Sequence, residues 1–411
     1  MKYWITLTVV LLTFSRSFPQ SHNLSFFIDQ ARQNNPVLKS YENQILSNQL
    51  DSQILKASLK TQVNFISNDY YAPVIKGWGY DEAITNIASL QGLVQATKNF
   101  LSKGNLSAQY RTIALQSQAL RDSLRLSVKD LFKTITDQYI TAYGNMLTMN
   151  YSKELYEILK REEDILKKLA QESVIKQTEF LSFYITMQQQ ELNYLQAEIQ
   201  YNADYLTLNY LAGINDTTIA QLQEPKLEDS LPHDFYSSVF YQRYKTDSLR
   251  IANERALINY SYRPTIGAFS DAGYNSSLQI TPYKNFGFSF GVSIKVPLYD
   301  AHQKSLKYQK LDIEERTRLA NKEFFMNQYT QQIALLNNQL HSTDLLFQKI
   351  NNQVDYTKTL ITAYEKLLQT GDVKVTEFVT AITNYVNAEN TYRQNFVSRL
   401  KIMSQINYWN Q

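Results

Sequence analysis

Cysteine is absent from the 411 residues, which excludes disulfides, thiolate metal sites, a cysteine nucleophile and a lipid anchor on an N-terminal cysteine. Proline is scarce and unevenly placed. None of the eight lies between 74 and 224, and none follows 297. Glycine is equally sparse, with only Gly144 in the run 105–212 and only Gly371 from 298 to the end. Charge is nearly balanced, 41 basic against 38 acidic residues, so no basic stripe argues for nucleic acid. The four histidines, His22, His233, His302 and His341, lack metal-ligand spacing and read as surface residues. No nucleophile motif, phosphate loop or metal cluster points to an enzyme.

Beyond the N-terminus, no stretch of 18 uninterrupted apolar residues occurs, so the mature chain offers no spanning helix. Residues 1–20 themselves resemble a secretory signal peptide, with Lys2 followed by an apolar run from Tyr3 to Phe14. An exported chain of this kind can enter a membrane only as a β-barrel. Tyrosine is abundant at 30 residues, which suits either a membrane interface or ordinary packing.

A thirteen-residue pattern occurs twice, from Lys168 to Phe180 and from Lys366 to Phe378. The copies share Lys-Leu-x-Gln, then Lys, then Thr-Glu-Phe, and align without a gap. The register continues downstream, placing Tyr194 on Tyr392 and Leu208-Asn209-Tyr210 on Ile406-Asn407-Tyr408. Each copy sits inside a breaker-free run rich in Leu, Gln, Lys, Glu and Ala. Such runs read as long helices, with the repeated pattern as the turn that folds each one back. The helices expected at about 105–170 and 301–370 would each be roughly 100 Å long, with returns at about 174–211 and 373–409 of roughly 55 Å. Shorter helices at about 23–59 and 234–260 would extend the return columns, making four columns per chain. The last helix carries two seams: Val375, Phe378, Ile382, Tyr385, Tyr392, Phe396 and Met403 at heptad spacing, and Val379, Val386 and Leu400 beside them. Two seams fit a closed ring of helices, and a plain antiparallel coiled coil gives the same pattern.

The stretch from Phe286 to Val296 separates these readings. It alternates strictly, with Phe286, Phe288, Phe290, Val292 and Ile294 on one face and Gly, Ser and Lys on the other. Its eleven residues match a tilted membrane strand with its apolar face towards lipid, and a soluble sheet with one buried face gives the same alternation; the signal peptide and the lack of any other membrane segment favour the membrane. The expected partner is about 264–274, with counterparts in the first half at about 61–71 and 87–100. Tyr70, Tyr71, Trp78 and Tyr80 lie in the loop between those counterparts, at a candidate interface. The expected layout is a signal peptide (1–20), a first half (21–215) with its turn at about 171–174, a linker (216–233) and a second half (234–411) with its turn at about 370–373. Each half reads helix, strand, strand, long helix, turn, return helix. Four strands cannot close a barrel, because the smallest membrane barrels need about eight. The chain is therefore expected to share a barrel with further copies.

This layout resembles the TolC-like outer-membrane factor family over nearly the whole mature chain. The resemblance rests on Asn35-Pro36-Val37-Leu38, on Val296-Pro297-Leu298-Tyr299-Asp300 before the long helix, on Gly371, Glu377 and Ala381 at the last turn, and on the duplication. It implies a mainly α homotrimer, with a twelve-stranded β-barrel in the outer membrane and a twelve-helix tunnel across the periplasm. Such a protein is an exit duct for an efflux pump or type I secretion system. It docks on a periplasmic adaptor (membrane fusion protein) and an inner-membrane transporter, and it has no catalytic activity and no cofactor. The resemblance places the periplasmic gate at Glu377, with Thr380 where a second acid is usual and Val373, beside Lys374, where a basic residue is usual. Gly371, Asp372, Gln171, Ser173 and Glu179 become the periplasmic tips and adaptor contacts. Glu377 and Glu179 have a plainer reading as acids at a helix start, where the helix dipole favours them. A periplasmic adaptor or coiled-coil scaffold is the alternative reading, although an adaptor would carry one helical hairpin rather than two.

Overall fold

The computed structural model describes residues 21–79, 87–227, 235–278, 281–370 and 372–410. The chain is mostly helical with one small antiparallel sheet. The segment expected as a signal peptide, together with Tyr80, His233 and Gly371, lies outside the described residues.

The elements run α1 (Leu24–Asn34), α2 (Pro36–Ser58), β1 (Gln62–Ser67), β2 (Tyr70–Ala72), β3 (Ile87–Phe100), α3 (Lys103–Gln171) and α4 (Gln177–Ala212), then α5 (Val239–Ser261), β4 (Thr265–Ser276), β5 (Phe286–Lys295), α6 (Gln303–Thr370) and α7 (Val375–Asn410). Local chemistry explains several boundaries. The single helical stretch read at 23–59 is divided at Pro36, which opens α2 where a missing N–H costs nothing, while Asn35 closes α1 through its N–H to Ala31 O. The stretch read from 234 begins its α-helix only at Val239, because the Ser238 hydroxyl caps it by accepting from Tyr241 N–H. Gly213, at φ 67°, ends α4 in the left-handed conformation that glycine adopts freely.

The chain divides into two compact units, and each half of the sequence contributes to both. One unit holds residues 37–126 and 234–327, including the whole sheet. Its strand order is β1-β3-β4-β5, with β2 pairing the far end of β3. Within this unit Asp122 accepts from Thr246 at 2.7 Å, and the Asn253 amide donates to Ala108 O and Thr112 Oγ1. These buried bonds lock α5 onto the first part of α3.

The other unit holds residues up to 36, 127–233 and 328–411. Phe27 and Ala31 of α1, Ile135, Tyr139 and Met146 of α3, and Tyr201, Tyr205 and Leu208 of α4 form one core, together with Leu222 of the connecting segment. Tyrosine hydroxyls fasten that segment down. The Tyr139 hydroxyl shares its one proton between Gln223 O at 2.7 Å and His22 O at 3.0 Å, and Tyr201 donates to Ala220 O. His22 is not a surface histidine. It is half-buried, stacks on Phe26 and shares a 2.8 Å bond with Tyr205, and burial lowers its pKa despite the nearby Asp216 carboxylate. Gly144, the one glycine within 105–212, marks a close approach: a Cβ there would lie 2.4 Å from Val397 Cγ2 on α7.

Replacing Tyr139 by Phe leaves two backbone carbonyls without this donor inside the core. We expect Tyr139→Phe to lower stability by about 1–3 kcal/mol, read as a drop in melting temperature with an unchanged far-UV spectrum.

Candidate functional site

Both repeated turns share one closing backbone bond. At the first, Val174 N–H donates to Leu169 O at 2.9 Å and Ser173 N–H to Ala170 O at 3.2 Å, with Ser173 at φ 62°. This is a Schellman stop, and serine occupies the left-handed position that glycine usually takes. At the second, Asp372 N–H donates to Leu367 O at 3.0 Å, the aligned pair of atoms. The return helices also start alike. Lys176 O accepts from the N–H groups of Glu179 and Phe180, and Lys374 O from those of Glu377 and Phe378. The repeat in sequence is thus a repeat of one C-cap and one helix start.

The inner side of the turns is pinned by packing. Phe378 is fully buried and stacks on Phe183 with ring centroids 6.4 Å apart. Leu159 and Leu166 of α3, Ile361 and Leu368 of α6, and Val375 and Ile382 of α7 fill the same core. The candidate residues lie outside it: Gln171, Ser173, Asp372, Lys374, Glu377 and Thr380 are exposed, and Glu179 is half-buried.

The two acids are used differently. The Glu179 carboxylate accepts the Lys176 N–H at 3.3 Å and so caps its own helix. The Glu377 carboxylate has no hydrogen-bonding or ion-pair partner among the described residues. Thr380, one turn on, back-bonds its hydroxyl to Thr376 O at 2.8 Å. The exposed side of α7 continues as Thr383, Asn384, Asn387, Thr391 and Gln394, a neutral polar stripe whose acid is Glu377. The matching stretch of α4 is apolar instead. Leu181, Ile185, Leu192, Leu195, Ile199 and Leu206 stand exposed at close to heptad spacing. Leu335, Leu346, Tyr356, Leu360 and Leu367 do the same on α6.

Reading the sequence missed a pair of carboxylates just behind the turns. Glu162 on α3 and Glu365 on α6 are both half-buried, and Glu162 Oε2 is shielded from water without a hydrogen bond. Burial raises both pKa values; the Glu365 charge adds to the rise at Glu162, and Arg161 opposes it at each. Their positions on the interior side of two helix faces are the only trace of this in the sequence.

In the other unit, the strand register sorts the sheet into two chemically distinct faces. Phe286, Phe288, Phe290, Val292 and Ile294 of β5 lie opposite Tyr274, Ala272, Ser270, Ala268 and Ile266 of β4. The same face continues through Leu90, Val94, Ala96 and Phe100 of β3 to Phe65 and Val63 of β1. Its large side chains on β1, β3 and β5 are exposed, Phe290 by 80%, while Ala96, Ala268 and Tyr274 are half-buried. The opposite face carries Gln62 and Asn64, then Gln91, Gln95, Thr97 and Asn99, then Asp271, and Ser289, Ser293 and Lys295, with Ile66, Leu93 and Phe269 among them. Glycines on that face admit larger neighbours: a Cβ on Gly291 would meet the Phe269 ring at 2.6 Å. Ser289 donates to Asp271 at 2.8 Å across β4 and β5. An uncovered apolar face backed by a hydrophilic one is the pattern of a strand layer between lipid and water. None of the described helices is long and apolar enough to cross a membrane.

No family sequence model and no curated protein sequence matches the chain. Solved structures do. The chain is similar to CusC, a structure concerned with folding and transmembrane channel formation, at 12% identity over 96% of this chain and 94% of that one, with a TM-score of 0.75. It is similar to the outer membrane protein VceC from Vibrio cholerae at 12% identity, over 94% of this chain and 96% of that one, with a TM-score of 0.74. It is also similar to the Campylobacter jejuni CmeC outer membrane channel at 14% identity, over 94% of this chain and 85% of that one, with a TM-score of 0.71. At such identities the likeness is one of fold, and it holds over nearly the whole length. The resemblance to TolC-like outer-membrane factors is borne out at that level.

Glu162 supplies a pH test. A carboxyl group whose pKa is raised in the folded state binds protons more readily folded than unfolded, so its contribution to stability falls as pH rises above the ordinary value of 4.5. Glu162→Gln should therefore raise the melting temperature near neutral pH, and the gain should shrink as the pH is lowered towards 4.5. Thermal melts of both proteins across that range check the sign.

Proposed function

We propose that the chain is one subunit of a homotrimeric exit duct in the outer membrane of a Gram-negative cell, serving an efflux pump or type I secretion system. The observation that carries this reading is the sheet: four strands in one layer, an exposed apolar face, and two edges, β1 and β5, without a partner strand among the described residues. Open edges are not tolerated in hydrocarbon, and four strands are too few to close. Three copies would make a closed barrel of twelve. Each half, 21–215 and 234–411, then supplies two spanning strands and one helical hairpin, after export directed by residues 1–20.

The helices support the same assembly. The apolar seams on α4 and α6 need cover, which neighbouring copies provide as a ring of helices. The neutral polar stripe of α7 suits a wet bore. The turns then form the periplasmic mouth, where Gly371, Asp372, Gln171, Ser173 and Glu179 meet a periplasmic adaptor coupled to an inner-membrane transporter. The protein conducts passively and catalyses nothing; the transporter supplies the energy. An adaptor or coiled-coil scaffold role leaves the apolar sheet face unexplained.

Glu377 is the better gate candidate of the two acids, because its carboxylate is not occupied in capping. Three symmetry-related copies near a narrow axis would repel one another and favour cations, with Lys374 and Thr380 beside them. Glu179 is better explained as a helix cap at the tip.

Fractionation tests the reading directly. The protein should be recovered in the outer membrane as an oligomer that falls to monomer on heating, whereas a soluble periplasmic monomer would sink the duct. For the gate, Glu377→Ala should raise single-channel conductance in planar bilayers and lower cation selectivity. Unchanged conductance, voltage response and selectivity would remove Glu377 from that role.

A further inference from the structure

Strand β3 runs past its partners. β4 pairs with it over eleven residues, from Phe100↔Ile266 to Leu90↔Ser276, and β1 over a shorter stretch inside that span. A tilted strand of about 9–11 residues crosses the hydrocarbon of a bilayer, so this ladder fills it. Beyond it only β2 follows β3, through Tyr70↔Ser89, Tyr71↔Ala88 and Ala72↔Ile87. The extension leaves the sheet at the end remote from the links to α3, α5 and α6, and it begins where hydrocarbon gives way to headgroups.

The chain beyond β2 is built as a tight turn. Ile75 and Trp78 exchange both backbone hydrogen bonds at 3.0 Å, with Lys76 at φ 50° and Gly77 at φ 84° between them. Two positive φ values mark a type I′ hairpin, in which glycine meets one of the two demands without strain. The turn presents Ile75, 65% exposed, and Trp78, 85% exposed, on either side of the Lys76 ammonium. Tyr71, also exposed, sits opposite Ala88 and so shares the apolar face of Leu90, Val94 and Phe65. Tyr274 and Phe286, 5.2 Å apart, complete an aromatic rim at this end of the sheet. Tryptophan and tyrosine beside a lysine make the composition favoured at a bilayer surface, where rings lie at headgroup level and an ammonium reaches phosphate.

We infer that the Ile75–Trp78 turn is a lipid-contact site of its own: Trp78, Ile75 and Tyr71 seat in the outer headgroup layer, and Lys76 pairs with lipid phosphate. The inference rests on the duct reading, and the test separates the two. Trp4→Phe and Trp409→Phe leave Trp78 as the sole tryptophan of the full chain, which has three. The protein is reconstituted into phosphatidylcholine vesicles with or without bromine at a shallow acyl position. We expect brominated lipid to cut Trp78 emission by about twofold or more, as for a ring at the interface. Quenching by aqueous acrylamide alone places the turn in water, and quenching by neither places it against another copy; either result overturns the inference. A second reporter, Phe290→Trp with all three native tryptophans replaced by Phe, reads the sheet's apolar face. If brominated lipid quenches that reporter but not Trp78, the duct stands and the turn does not touch lipid. If it quenches neither, the duct reading itself fails.

Discussion

Backbone N–H and C=O groups in hydrocarbon have no partner except one another. That constraint organises this molecule. The sheet is too narrow to satisfy itself, since its order begins at β1 and ends at β5 with one side of each strand still open. Any membrane role therefore requires further copies, and the copies must bring their own strands into register. In such a ring the apolar face of Phe288, Phe290 and Val292 would face lipid. Alone in water, it would be a large uncovered patch and an aggregation hazard.

The two halves answer this constraint with the same plan and different surfaces. Both turns stop with an equivalent bond, Val174 to Leu169 and Asp372 to Leu367. Past the turns the copies diverge. Leu181 and Ile185 leave α4 an apolar outer stripe, whereas Thr380 and Asn384 keep that of α7 polar. Glu179 is spent on capping and Glu377 is not. A duplicated hairpin has thus become two hairpins with different outer surfaces, one apolar and one polar.

The long helices and the turns between them were legible because nothing competed with the signal: no proline or glycine broke the runs, and the repeat marked where each one reversed. Strand β5 was legible because its alternation is strict. In the first half the alternation is blurred, since Gly92, Ala96 and Lys98 dilute the apolar face of β3, and Asn68-Asp69 separates β1 from β2, which pair with β3 in turn. The cluster of His22, Tyr139 and Tyr205 was not legible at all. Its members lie 117 and 183 residues apart along the pairs that bond, and no local pattern announces a hydroxyl that fastens a distant carbonyl. For the same reason the Glu162 and Glu365 pair looked like ordinary helix charges. At the repeated turns, sequence located the reversal and the fold separated a capping acid, Glu179, from an uncommitted one, Glu377.

The shared barrel is tested most directly at its seam. Since the chain has no native cysteine, introduced pairs report without background. Asn64→Cys on β1 is combined in turn with Gly287→Cys, Ser289→Cys and Ser293→Cys on β5, and mild oxidation in intact membranes is followed by a non-reducing denaturing gel. Three copies closing one barrel predict that at least one pairing yields a covalent trimer as the largest product, with neither single variant crosslinking. Monomer throughout, or a ladder that does not stop at three, would contradict it.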